Sequence, residues 1–210
     1  NEGYAWAQLA ADGYVGYLPD VALSAIAPAP THKVSVLRTF QFPSPSIKSP
    51  PLAALSFGAG VAVTGEEGRF ARLADGSFLW RDHLALFDRY EADPVAVAER
   101  FMGIPYYWGG KTSLGLDCSA LVQLAFGACG IAAPRDSDMQ EAALGAPVAL
   151  DGGLSGLRRG DLVFWKGHVG MMKDEATLLH ATAAFMLVVA EPLRTAHDRI
   201  LANGAGPITG

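Results

Sequence analysis

The chain has 210 residues, half of them hydrophobic and 18% charged, with a formal net charge of −5. This is the composition of an ordinary soluble globular chain of one domain or a few small ones. The acidic balance argues mildly against a nucleic-acid binder and against tight adhesion to anionic polymers, both of which want a basic face. No apolar run reaches the length of a membrane span, so no membrane insertion is expected, and no charged start followed by an apolar core marks a signal peptide.

Residues 1–88 hold short β-type runs, many glycines and prolines, and little that is helical. Tyr4–Leu9 and Asp12–Pro19 alternate around an Asp12-Gly13 turn, which predicts a hairpin. Ala27-Pro28-Ala29-Pro30 reads as a stiff linker. Beyond it come Val34–Leu37, a proline-rich stretch over 43–51, then Gly60–Thr64, Arg69–Leu73, Gly76–Trp80 and His83-Leu84, whose spacing and turn residues suit a five-stranded barrel. The hairpin resembles the closing half of a bacterial SH3-like barrel, and the second set resembles another barrel of that kind. The first set has no opening strands, so further sequence is expected before Asn1.

At Asp93-Pro94 the pattern turns helical: an N-cap Asp, Pro at the first helical position, apolar residues on one face, and Gly103 as terminator. A glycine-rich approach, Trp108-Gly109-Gly110, then leads to Asp117-Cys118-Ser119 and an apolar helix reaching Ala128, with Gly127 and Gly130 as end signals. A cysteine in the first turn of a helix meets unpaired N–H groups and the positive end of the dipole, which favour the reactive thiolate. Cys129 lies eleven residues on. Along one helix that is roughly 16 Å, too far for a disulfide, so Cys129 is read as a buried structural thiol.

A thiol nucleophile needs a base. Downstream, Gly160–Met172 shows two short apolar runs flanking Gly167-His168, the pattern of a strand pair with His168 near the turn, and Ala176–Ala181 reads as another strand carrying His180 near its end. Nucleophile, base and orienting group in this order follow the logic of an activated thiol. His32, His83 and His197 have no partner motif and are read as structural or solvent-facing, and no metal-ligand spacing or phosphate loop is present.

With Pro105-Tyr106, Trp108-Gly109-Gly110, Asp117-Cys118-Ser119, Arg159–Phe164, Gly167–Gly170 and Leu179-His180-Ala181 in place, the last 120 or so residues resemble the NlpC-type family of papain-like cell-wall cysteine peptidases. One departure is Ala120, where the family usually has glycine; alanine is small and helix-favouring. The resemblance implies an α+β chain with a papain-like peptidase domain over 89–210, preceded by small all-β SH3-like barrels at 1–27, incomplete, and 31–88. It implies Cys118 as nucleophile, His168 as base, His180 as the orienting third member and Tyr106 beside them, with Trp108, Asp117 and Ser119 lining the substrate site.

Relatives of this kind cleave the bond between γ-D-glutamate and the diamino acid of peptidoglycan stem peptides. Some recycle small fragments and require a free N-terminal L-alanine, as in L-Ala-γ-D-Glu-diaminopimelate. By the same resemblance Asp136 and Ser137 would hold the ammonium group, with Tyr14 reaching in from the Asp-Gly-Tyr turn of the first barrel. A monomer without cofactor is expected, in the cytoplasm, or in the periplasm or outside if a leader preceded Asn1. The alternatives are a lysin acting on intact wall, a non-catalytic wall-binding protein, and an acyltransferase using the same thiol and imidazole.

Overall fold

The computed structural model describes residues 2–23, 28–148 and 154–210; Asn1 and Ala27, the first residue of the expected linker, lie outside them. The backbone divides into two compact units, Asn1–Arg89 and Tyr90–Gly210.

In the first unit β1 (Tyr4–Gln8) and β2 (Val15–Pro19) form the expected antiparallel hairpin. Asp12 and Gly13 make its turn. Gly13 sits at φ +73, a conformation that favours glycine, and the Tyr14 N–H donates to Asp12 Oδ1 at 3.1 Å. None of the strand residues of this hairpin is buried.

The second set of strands is β3 (His32–Val34), β4 (Arg38–Gln41), β5 (Ala53–Ser56), β6 (Gly60–Val61), β7 (Val63–Glu67), β8 (Phe70–Leu73), β9 (Phe78–Trp80) and β10 (Leu84–Leu86). They pair as three small sheets, β10-β3-β6, β4-β5 and β7-β8-β9, with a Phe42–Phe78 bridge between the last two. Among the described residues no closed barrel is found, and the SH3-like barrels expected from sequence are not shown. Two strand assignments also differ. Residues 35–37 leave the ladder because Ser35 turns to the His83 carbonyl through both its N–H and its hydroxyl. Ala53–Ser56 forms a strand although it is short and alanine-rich, since it pairs residue for residue with β4. Val61, Leu73 and Leu79 centre this unit's core.

The second unit begins with α1 (Pro94–Glu99), capped as expected by Asp93, whose Oδ1 accepts from Val95 N–H at 2.8 Å and Ala96 N–H at 3.3 Å. After β11 (Lys111–Thr112) and β12 (Gly115–Leu116) comes α2 (Cys118–Ala128), buried on most sides as its nearly continuous apolar sequence requires, and then α3 (Ser137–Ala143). An antiparallel sheet follows in chain order: β13 (Leu162–Trp165), β14 (His168–Met172), β15 (Thr177–Thr182) and β16 (Leu187–Pro192), completed by α4 (Leu193–Ala202). Leu157, Val163, Trp165, Met172, Leu178, Leu193 and Ala196 pack as one core, with α2 laid against β14 and β15. Both edge strands have partners: Phe164 on β13 exchanges backbone bonds with Thr209 and Gly210, and β16 with residues 103–106. No helix among the described residues is long and apolar enough to cross a membrane.

Gly170 shows how tightly sheet and core fit, because a Cβ there would lie 2.6 Å from the Leu178 side chain, which is fully buried. Gly170→Ala is expected to lower stability by about 1–3 kcal/mol, the usual range for overpacking, measured as a fall in the urea midpoint with unchanged slope.

Candidate active site

Cys118 is held by what surrounds the start of α2. Residues 103–107 run between β16 and β12: Tyr106 N–H donates to the Met186 carbonyl at 2.8 Å and Tyr107 N–H to the Leu116 carbonyl at 3.0 Å. The chain then turns through Gly109 and Gly110. A Cβ on Gly110 would sit 2.5 Å from the Gly115 carbonyl oxygen, so only glycine fits.

Asp117, the N-cap of α2, fastens this turn to the helix. Its Oδ1 accepts from Ala120 N–H (2.9 Å), the Ser119 hydroxyl (3.2 Å) and Arg135 Nη1 (2.9 Å). Its Oδ2 accepts from Gly109 N–H (2.9 Å) and Arg135 Nη2 (2.7 Å). Arg135 Nη1 also donates to Ser119 Oγ, and both members of the ion pair are about nine-tenths buried. Asp117 and Ser119, expected to line the substrate site, thus have their polar atoms engaged in holding Cys118 in place.

Opposite the helix, β13 and β14 turn through Lys166-Gly167, with Gly167 at φ +76, so that His168 opens β14. His168 Nε2 lies 2.8 Å from His180 Nδ1, and His180 Nε2 lies 2.8 Å from Glu191 Oε1. Val189 faces His180 across β15 and β16, so Glu191, two residues on, shares its face. Arg199 on α4 closes the series with a two-pronged contact, Nη1 to Oε2 at 2.8 Å and Nη2 to Oε1. The backbone N–H groups of Val169, next after His168, and of Ser119 and Cys118 act to lower the Cys118 thiol.

The electrostatics correct one expectation. Burial pushes the Cys118 thiol up, and the Asp117 carboxylate adds to that; the three N–H groups pull it down without prevailing. A helix start alone does not make a thiolate when the cysteine is only 7% exposed. Burial pushes His168 down to about 3, helped by His180 and Arg199 and opposed by Glu191. Burial likewise lowers fully buried His180, against the raising effect of Glu191. Burial thus favours the uncharged form of both the thiol and the imidazole.

Tyr106 is partly buried, its phenol raised by burial and by its nearness to Cys118 and Asp117. Trp108 is 83% exposed. Asp136 and Ser137 begin α3, which is tied to the first turn of α2 by Gln140 Nε2 donating to the Ser119 carbonyl at 2.9 Å. Tyr14 belongs to the first unit and is exposed. Cys129, read from sequence as buried, is half-buried at the end of α2. Each of the other histidines has a polar neighbour: Thr31 for His32, Thr39 for His83, and Trp165, whose Nε1–H donates to His197 Nδ1 at 3.3 Å.

Sequence reasoning missed Glu191 and Arg199. The available signal was a single acidic residue ending the apolar run 187–190, followed eight residues later by an arginine on a helix.

Two outcomes follow from this geometry. Arg135→Met leaves the Asp117 carboxylate buried without its cation and should cost about 3–5 kcal/mol, measured by chemical denaturation. Burial leaves His168 and His180 less ready to take up protons in the folded state than in the unfolded chain, where they do so at the ordinary histidine value of 6.5. Their contribution to stability is complete above that value and lost as pH falls below it. The urea midpoint should therefore be lower near pH 5 than near pH 7, and His168→Gln should flatten that dependence.

Residues 103–197 match the NlpC/P60 family. The γ-D-glutamyl-L-lysine dipeptidyl-peptidase of Bacillus subtilis is 35% identical over 98 residues, 42% of this chain and 31% of that protein. Dipeptidyl-peptidase 6 of Lysinibacillus sphaericus is 31% identical over 93 residues, 44% of this chain and 33% of its own length. The chain thus spans about a third of the curated relatives it matches. Among solved structures, an NlpC/P60 family protein from Bacillus cereus superposes with a TM-score of 0.76 at 24% identity, covering 92% of this chain and 72% of that one, a likeness of fold. Mixed helix and sheet around a cysteine at a helix start agree with these matches: the second unit of this α+β chain carries an NlpC/P60 family domain.

Proposed function

We propose that the chain is a cysteine peptidase that cleaves the bond between γ-D-glutamate and the diamino acid of peptidoglycan stem peptides. The observation that carries this is the run of hydrogen bonds from His168 through His180 to Glu191, on strands against which the helix that opens with Cys118 is packed. Relatives named for γ-D-glutamyl-L-lysine dipeptidyl-peptidase activity support the choice of bond.

In this reading the Cys118 sulfur attacks the γ-carbonyl carbon of D-glutamate as its proton passes to His168. Backbone N–H groups at the start of α2, with the Tyr106 hydroxyl, stabilise the oxyanion. The intermediate collapses to a thioester as His168 returns the proton to the departing amine, and water then hydrolyses the thioester with His168 as base. A neutral thiol and imidazole suit this, since proton transfer accompanies attack rather than preceding it.

The finer reading is a recycling enzyme that demands a free N-terminal L-alanine, with Asp136 and Ser137 receiving its ammonium group and Trp108 at the rim. Support comes from α3, whose first residues are tied close to the start of α2 through Gln140. A site whose polar groups are left unpaired by the wrong ligand discriminates by up to about 10⁴-fold.

Wild-type protein should split L-Ala-γ-D-Glu-diaminopimelate, read by mass spectrometry, and leave purified sacculi intact. Acetylating the L-alanine should lower kcat/KM at least about 100-fold. Cys118→Ala and His168→Ala should each be inactive while folded, and His180→Asn should keep a measurable part. Equal rates on free and acetylated peptide would replace the recycling reading with a lysin, and cleavage of neither peptide nor wall would end the peptidase reading.

A further inference from the structure

The imidazole chain does not stop at His180, and its far end dictates the state of its near end. Arg199 is a permanent cation, its charge further secured by Glu191. Glu191, held below the usual carboxylate range on balance by Arg199 and His180 against burial, is an acceptor with no hydrogen to give. His180 Nε2, 2.8 Å from that carboxylate, must then carry the hydrogen. A neutral imidazole has one N–H, so His180 Nδ1 is an acceptor. The contact at 2.8 Å from His168 Nε2 is in turn a bond that His168 donates. His168 Nδ1 is left with a lone pair, the only state in which it can accept the thiol proton.

We propose that the Glu191–Arg199 pair sets, through His180, which nitrogen of His168 carries the hydrogen, and that both are positioning residues for the reaction. This rests on the peptidase reading above. The titratable and charged groups around the chain are Cys118 on α2, Glu191 on β16, and Arg199 and His197 on α4. His197 is engaged by Trp165, whose ring lies 5.7 Å from that of His168. Glu191 is 11% and Arg199 25% exposed, so solvent offers little substitute for either. The two pull in opposite directions: Glu191 raises the affinity of both imidazoles for a proton, and Arg199 lowers it.

The test uses the full chain with four proteins, wild type, Glu191→Gln, Arg199→Gln and Arg199→Lys, each first shown to be folded by its thermal transition. Turnover of L-Ala-γ-D-Glu-diaminopimelate is measured against pH. In parallel, the pH dependence of Cys118 alkylation by iodoacetamide is followed at the level of the tryptic peptide, which needs no substrate. An amide at position 191 presents either its oxygen or its NH2 to His180, and the inverted tautomers become populated. In Glu191→Gln, kcat should fall by about 10- to 1,000-fold with KM within about twofold, and the acidic limb should move to lower pH. In Arg199→Gln the acidic limb should move to higher pH, and Arg199→Lys should restore part of the shift.

A merely structural pair would move both limbs the same way or neither, and that result overturns the proposal, as does a kcat for Glu191→Gln within twofold of wild type. Imidazole nitrogen NMR on wild-type protein decides the tautomers without any variant: Nε2–H on both His168 and His180 supports the proposal, and Nδ1–H on either overturns it. Alkylation limbs that shift as expected in a protein cleaving no stem peptide would uphold the relay while ending the peptidase reading.

Discussion

The buried Asp117 carboxylate, accepting five hydrogen bonds, is the constraint on which the site depends. It caps α2, pins the Gly109-Gly110 turn and receives both prongs of Arg135, so helix, loop and the segment before α3 meet at one group. A carboxylate this deep is tolerated only because each oxygen is fully satisfied, and the same satisfaction fixes its neighbours. Cys118 follows directly in the chain and inherits that position. Asp117 therefore stands out in sequence as part of a motif, yet its visible work is to hold the nucleophile still.

In the proposed activity the chemistry would begin from an uncharged thiol and imidazole. Burial, the dominant influence on both Cys118 and His168, disfavours the charged form of each. Under the proposed activity, charge separation would be confined to the moment of attack, with backbone N–H groups at the start of α2 close by. The positive end of the helix would then matter more to the transition state than to the resting thiol.

Much of this was legible in the sequence, for physical reasons that differ by residue. Cys118 is marked by its glycines and its helix, Asp93 by the proline after it, and His168 by its place beside a turn glycine, all local signals. Glu191 and Arg199 could not be read, because their meaning arises only when the β15–β16 register and the docking of α4 carry them to His180. The direction of the Cys118 shift was missed because a helix-end argument takes no account of depth. In the first unit individual strands were visible while their partners were not, since residues 35–37 and 53–56 are assigned by long-range pairing against weak local preference.

Both outer strands of the four-stranded sheet are partly covered: residues 103–106 lie along the start of β16, and Thr209 and Gly210 bracket Phe164 on β13. Many peptide-binding proteins lengthen a sheet with the backbone of their ligand, a mode that reads an ordinary chain of α-linked L-residues and little else. Where these edges are covered, that option is closed. There a ligand would be recognised by side chains and loop amides, which are indifferent to whether its backbone could form a regular strand. A segment whose spacing or handedness breaks the two-residue repeat could be held by such a surface without imitating a strand.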